Sequence, residues 1–96
     1  MSTIWNPMIE VESSQGTREV FLNTRHLMDR KIFLQGEINS EMATMFISQL
    51  MYMEQEIDKP VTIYINSRGG EVNAGLLIYD AIQGSELEIH MVCTGI

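Results

Sequence analysis

Residues 61–83 read VTIYINSRGGEVNAGLLIYDAIQ. Val61, Ile63 and Ile65 alternate with Thr62, Tyr64 and Asn66. The run is rich in β-branched and aromatic side chains, and its period of two predicts a strand. Ser67-Arg68-Gly69-Gly70 breaks the alternation, and Glu71 opens an apolar segment whose spacing predicts a helix over 71–83, stopped by Gly84-Ser85. A strand, a glycine turn and a helix in this order aim free backbone N–H groups into a cleft at a helix N-terminus. Phosphates, carboxylates and developing oxyanions are held at such places. By itself the stretch marks a seat for negative charge and does not say which.

Upstream, Arg30 to Gly36 (RKIFLQG) predicts a strand centred on Ile32, Phe33 and Leu34. Three adjacent apolar residues suggest burial on both faces, as in a parallel sheet. Asn39 or Ser40 is a fair N-cap, and Glu41 suits a first helical turn. Met42, Met45, Phe46, Leu50, Met53 and Ile57 then recur at three- and four-residue spacing, which predicts an amphipathic helix reaching Ile57. Its methionines, Met51 included, suit either an adaptable binding face or plain core filling. Pro60 ends it by biasing Lys59 away from helical angles.

Downstream, Glu88 to Gly95 (EIHMVCTG) predicts a further buried strand. The helix over 71–83 is apolar on more than one side and is expected to be covered by more than one layer. The order β, α, β, α, β with crossovers of ordinary length gives parallel pairing and right-handed connections. The fold class is α/β, built from βαβ units, with a site beyond the carboxyl ends of the strands. Residues 1–18 read as a loosely structured arm. Pro7, Ser13, Ser14, Gln15 and Gly16 are turn formers, and Trp5 is either an interface anchor or a free side chain. Glu19 to Asn23 predicts a short strand, and Thr24 to Asp29 a turn or one turn of helix.

Ninety-six residues make one domain or part of one. The net charge is −7, and it is unevenly placed: residues 1–35 hold four acids and four bases, while residues 36–96 hold nine acids against Lys59 and Arg68. An acidic domain without a basic patch argues against nucleic acid as a partner. No apolar run is long enough to cross a bilayer, and no secretory leader is evident, so neither a membrane nor secretion is expected. The single cysteine, Cys93, has no internal partner, and a cytoplasmic location is expected.

No local motif joins a nucleophile to a base. His26 lies in a polar turn and His90 in an apolar strand, and both read as structural. His90 and Cys93 are three apart on a strand, so they face opposite sides and make no metal pair; no metal site is expected. Ser67 is not in a G-x-S-x-G elbow, and neither phosphate-binding glycine motif occurs.

The segments together resemble the caseinolytic Clp protease proteolytic subunit (ClpP) family. INSRGGEVNAGLLIYDAIQ is similar to that family's INSPGG segment and the AG…IYD…Q helix after it. RKIFLQGEI resembles its R-x-I-F-L-x-G-x-I strand and turn, and MATMFISQLMYMEQE its first long helix. NPMIEVESSQGTREVFLNTRHL resembles its axial N-terminal arm, and EIHMVCTGI the strand leading to its active serine. The order and spacing of these pieces carry the likeness.

The resemblance implies a ClpP/crotonase-like fold: residues 1–18 as the axial arm, and residues 19–96 as the N-terminal part of the α/β domain, incomplete at its C-terminus. It implies the proteolytic subunit of an ATP-dependent serine endopeptidase. That subunit would form two stacked heptameric rings, receive unfolded polypeptides from a Clp-type AAA+ ATPase, and need no cofactor of its own, ATP being used by the ATPase. It places half of the oxyanion hole at the Gly70 N–H. Extended substrate would pair along Gly69, Gly70, Glu71 and Val72, and the ATPase would dock on Arg25, Asp29, Met51, Tyr64 and Val92. Thr62 and Thr94 stand where many relatives carry larger side chains. Arg68 stands where the family usually has proline, so a looser turn is expected. The family's serine falls just past Ile96 and its histidine and aspartate further on, so the 96 residues alone are expected to be inactive. Two alternatives stay open: a non-catalytic ring subunit of the same fold, and a crotonase-type acyl-CoA enzyme.

Overall fold

The computed structural model describes residues 7–13 and 15–94. Its elements are β1 (Met8–Ser13), β2 (Gly16–Phe21), α1 (Leu22–Met28), β3 (Lys31–Gln35), α2 (Ser40–Met53), β4 (Val61–Asn66), α3 (Val72–Gln83) and β5 (Ile89–Cys93). Strands β3, β4 and β5 form a parallel sheet in that order, while β1 and β2 make a separate antiparallel hairpin. The expected α/β class with parallel strands is therefore observed. The strand expected over 61–66 has those bounds. Among the described residues no helix is long and apolar enough to cross a membrane.

Register fixes which side chains share a face. Ile32 pairs with Ile63 and Leu34 with Ile65, and Val61 faces the same way. On that side Ile32, Leu34, Val61 and Ile63 join Ala43, Phe46, Leu50 and Met53 of α2 and Ala74 and Ile78 of α3 in one buried cluster. Each fully buried Val, Leu, Ile, Phe or Met side chain there contributes about 1.5–3 kcal/mol. The opposite face carries Phe33, Tyr64 and Val92 in one row. Phe33 and Tyr64 stack with ring centroids 4.9 Å apart, and the His26 ring of α1 lies tilted 4.9 Å from Phe33.

Several expectations change here. The arm over 1–18 is not loosely structured where it is described: Met8–Ser13 and Gly16–Phe21 pair as the antiparallel strands β1 and β2, with Ile9 opposite Val20. Trp5 lies outside the described residues. Strand β3 is not buried on both faces, since Lys31 and Phe33 are only half-buried. Strand β5 is mostly exposed rather than buried, and Gly95 lies outside the described residues. Helix α2 stops at Met53, four residues before Ile57, and Met45 faces solvent while Ala43 takes the core position. Helix α3 buries only Ala74 and Ile78, leaving Val72, Leu76, Leu77 and Tyr79 exposed, so a single layer covers it in this chain.

Two local devices set the sheet in place. Asn39 caps α2, its side-chain oxygen accepting the Met42 N–H at 2.9 Å. Arg30 has φ 62°, the one described non-glycine residue in the left-handed region. Its guanidinium donates to the carbonyls of Met53 (3.1 Å), Glu56 (2.9 Å), Lys59 (2.8 Å) and Pro60 (3.2 Å). Its own carbonyl accepts the Thr62 N–H at 3.1 Å. One side chain thereby collects the carbonyls released at the end of α2 and fixes where β4 begins.

Candidate active site

The carboxyl ends of β3 and β4 open into a cleft of about 580 Å³ lined by Gly36, Glu37, Asn66, Ser67, Arg68, Gly69 and Gly70. At its base the Asn66 side-chain amide donates to the Gln35 side-chain oxygen at 3.3 Å, tying the two strand ends together. The Gly36 N–H donates to the Asn66 carbonyl at 3.1 Å, and φ 91° at Gly36 lets β3 turn away there. A second depression, on the exposed side of α2 along Ser40, Thr44 and Ser48, has no backbone turn of this kind.

The glycine pair is held by Ile38. The Ile38 N–H donates to the Gly69 carbonyl at 3.0 Å, and the Ile38 carbonyl accepts the Glu71 N–H at 2.8 Å. These bonds make a parallel bridge between Ile38 and Gly70. In such a bridge the central residue turns its own N–H and C=O to the opposite side. Gly70 therefore presents its N–H away from Ile38, with no hydrogen-bond partner among the described residues. The two backbones approach so closely that a Cβ on Gly70 would overlap the Ile38 carbonyl oxygen and lie 2.8 Å from the Ile38 nitrogen. Gly69 is glycine for a different reason, φ 104°, with open space where a Cβ would be.

Ser67 ties the turn. Its hydroxyl oxygen accepts the Gly69 N–H at 3.1 Å. The looser turn expected from Arg68 is thus offset by its neighbour. Helix α3 starts two residues after Gly70, and no side chain caps its first turn. Its uncapped N–H groups add to the positive potential beside the Gly70 N–H. The arrangement can stabilise an oxygen carrying developing negative charge. Among the described residues it brings no nucleophile together with a base: Ser67 is engaged in its own turn, His26 packs on Phe33, and His90 contacts Glu88 at 2.7 Å. Among the described residues no group of His, Cys, Asp or Glu is placed to hold a metal ion.

A family model described as Clp protease matches residues 14–96. The chain belongs to the Clp protease family. At the level of that family its activity is proteolysis, and members form oligomeric rings that work with AAA+ ATPases.

The residues singled out in the Clp protease chain fall into three places. Gly69 and Gly70 line the cleft and the extended Glu71 leads into α3, whereas Val72 is the first residue of α3 and lies 75% exposed. The extended segment expected over 69–72 thus ends at Glu71, because the chain turns helical there. Tyr64 and Val92 are register partners on the open face of the sheet. Arg25 and Asp29 sit on and just after α1 and pair with each other at 2.6 Å. Met51 is 64% exposed on α2, the helix that packs on the other face of the sheet. The part missed from the sequence is Ile38. Its role is backbone pairing, and nothing in its side chain signals that.

Proposed function

We propose that this chain supplies the oxyanion side of an ATP-dependent, Clp-type serine endopeptidase, as part of its proteolytic subunit. The observation that carries this reading is the Gly70 N–H, without a hydrogen-bond partner among the described residues and turned away from Ile38 by the bridge, on a residue that lines the cleft. On this reading an extended polypeptide lies along Gly69 to Val72, and the carbonyl under attack places its oxygen at the Gly70 N–H. The serine, with its histidine and aspartate, comes from sequence outside residues 1–96. One oxyanion donor of this kind is worth about 10²- to 10³-fold in rate.

The same reading has the subunit assemble with copies of itself, as two stacked heptamers, and take unfolded polypeptides from a Clp-type AAA+ ATPase in the cytoplasm. It needs no cofactor beyond the ATP that the ATPase uses. The placement of the expected docking residues supports assembly. Tyr64, Val92, Arg25 and Asp29 lie on or beside one face of the sheet, while Met51 belongs to the helix layer on the other. A pocket using all five therefore forms between neighbouring copies rather than within one.

The test uses the complete subunit carrying these residues, treated with a fluorophosphonate and, separately, with a peptidyl boronic acid. The expected result is covalent labelling of one serine and, on boronate binding, a downfield shift of the Gly70 amide proton. Labelling without that shift would refute the role given to Gly70. Absence of labelling in an assembled ring would refute the enzyme reading and favour a non-catalytic ring subunit.

A further inference from the structure

We infer that Arg68 selects substrate: the cleft favours polypeptide segments with a carboxylate side chain next to the carbonyl held at Gly70. The inference rests on the oxyanion reading of Gly70 given above and adds the substrate class to it. Arg68 lines the same cleft as Gly69 and Gly70 and is exposed. It makes no hydrogen bond or ion pair among the described residues, where the pairs are Arg25–Asp29, Lys59–Glu56 and His90–Glu88. Residues 36–96 hold only two cations, Lys59 and Arg68, so Arg68 is the one left without an acidic partner.

Its placement is fixed by its neighbours. The Ser67 hydroxyl accepts the Gly69 N–H at 3.1 Å, so Arg68 sits at the apex of a closed turn and not on a free loop. One residue, Gly69, separates it from Gly70, whose N–H is the open donor of the cleft. Two chain steps span at most about 7 Å, and an arginine side chain covers a similar distance. A peptide carbonyl seated at Gly70 therefore brings its adjacent side chain within reach of the guanidinium. A carboxylate can meet that planar fork with two parallel hydrogen bonds, whereas the neutral amide of glutamine can accept only through its single oxygen. Glu37 stands in the same cleft and makes no ion pair with Arg68. It disfavours acidic side chains on its own side, so the preference is confined to the position beside Arg68 and is not a general taste for acidic chains. The −7 background has the same consequence.

An exposed pair of this kind is worth up to about 1 kcal/mol, which is about two- to fivefold in affinity. The test is fluorescence anisotropy at 0.15 M salt on the whole chain. The probes are three fluorescein-labelled hexapeptides of alanine and leucine carrying one glutamate, one glutamine or one lysine. The Gly70 amide is followed by NMR to locate binding. The expected order is glutamate over glutamine over lysine, about two- to fivefold between the first two. Arg68→Gln abolishes the difference, Arg68→Lys keeps part of it, and the Gly70 amide shifts in every case. If all three peptides shift Gly70 and bind alike, or the lysine peptide binds best, the Arg68 inference falls and the Gly70 reading stands. A glutamate preference that survives Arg68→Gln overturns it as well. If no peptide moves the Gly70 amide, the reading of Gly70 falls together with the inference.

Discussion

Replacing Gly70 by alanine tests whether the cleft is built by close backbone approach or by left-handed geometry alone. The added Cβ would overlap the Ile38 carbonyl oxygen and come within 2.8 Å of the Ile38 nitrogen and 2.9 Å of its carbonyl carbon. All three obstructing atoms are backbone, so no side-chain rotation relieves the contact. Residues 69–71 must move off Ile38, and the two hydrogen bonds of the bridge, at 3.0 and 2.8 Å, open. At about 0.5–1.5 kcal/mol net for each bond, the loss is about 1–3 kcal/mol. It is local, because Ile32, Ile63 and the rest of the buried cluster lie below the turn. Gly69→Ala is the control. Its Cβ meets open space and only the φ of 104° is strained, about 1–2 kcal/mol, with the bridge intact. Urea denaturation should thus rank the variants similarly, while native-state hydrogen exchange separates them. Gly70→Ala should lose protection at the Ile38 and Glu71 amides, about tenfold for every 1.4 kcal/mol, and Gly69→Ala should keep it. Full protection of both amides in Gly70→Ala would refute the account.

Two further outcomes follow from the link between α2 and β4. Arg30→Ala should lower the urea midpoint by an amount equivalent to about 2–4 kcal/mol, since four carbonyls lose a charged donor. Arg30→Gly should be about 1 kcal/mol less damaging than alanine, because φ 62° costs glycine nothing; equal damage would sink the argument from φ. Glu56 should titrate below the ordinary carboxylate value, held down first by its hydrogen bond from Lys59 and then by that residue's charge. Its contribution is present above the unfolded pKa and is lost as pH falls through the lowered folded one. Carboxyl NMR reads this directly, and Lys59→Ala should raise Glu56 back toward the ordinary value, because Lys59 supplies the two largest causes of the shift.

Local periodicity makes the existence and type of the elements legible in the sequence; what distant partners set, including which face is buried and where an element stops, is not. Strand β4 alternates without interruption from Val61 to Asn66, and its bounds were readable to the residue. The β1–β2 hairpin was missed because its apolar residues are few and interleaved with Glu10, Glu12 and Arg18, although Ile9 and Val11 do alternate with acids. In α2 the methionines satisfied the apolar spacing, yet Met45 faces solvent and the small Ala43 sits in the core, because the helix lies close against the sheet there. The Arg30 clamp had no signal at all: its acceptors are main-chain carbonyls 23 to 30 residues away. The glycine turn is legible as a cradle, but its orientation depends on the main chain of Ile38, whose side chain carries no signal of that pairing.

That dependence explains how the turn accommodates arginine at position 68. The donor at Gly70 is aimed by main-chain bonds from Ile38 on one side and by the Ser67 hydroxyl on the other. Neither bond uses the side chain or the N–H of residue 68. A rigid proline ring would restrict φ at that position, but the turn is already closed around it. The residue is therefore free to vary without moving the donor. A long cation placed there alters what lies beside the Gly70 N–H while leaving the geometry of that N–H to the backbone. On the proposed reading, stabilisation of a developing oxyanion and recognition of the neighbouring side chain are then separable in this cleft. Changes at Ile38 or Gly70 act on the first, and changes at Arg68 act on the second.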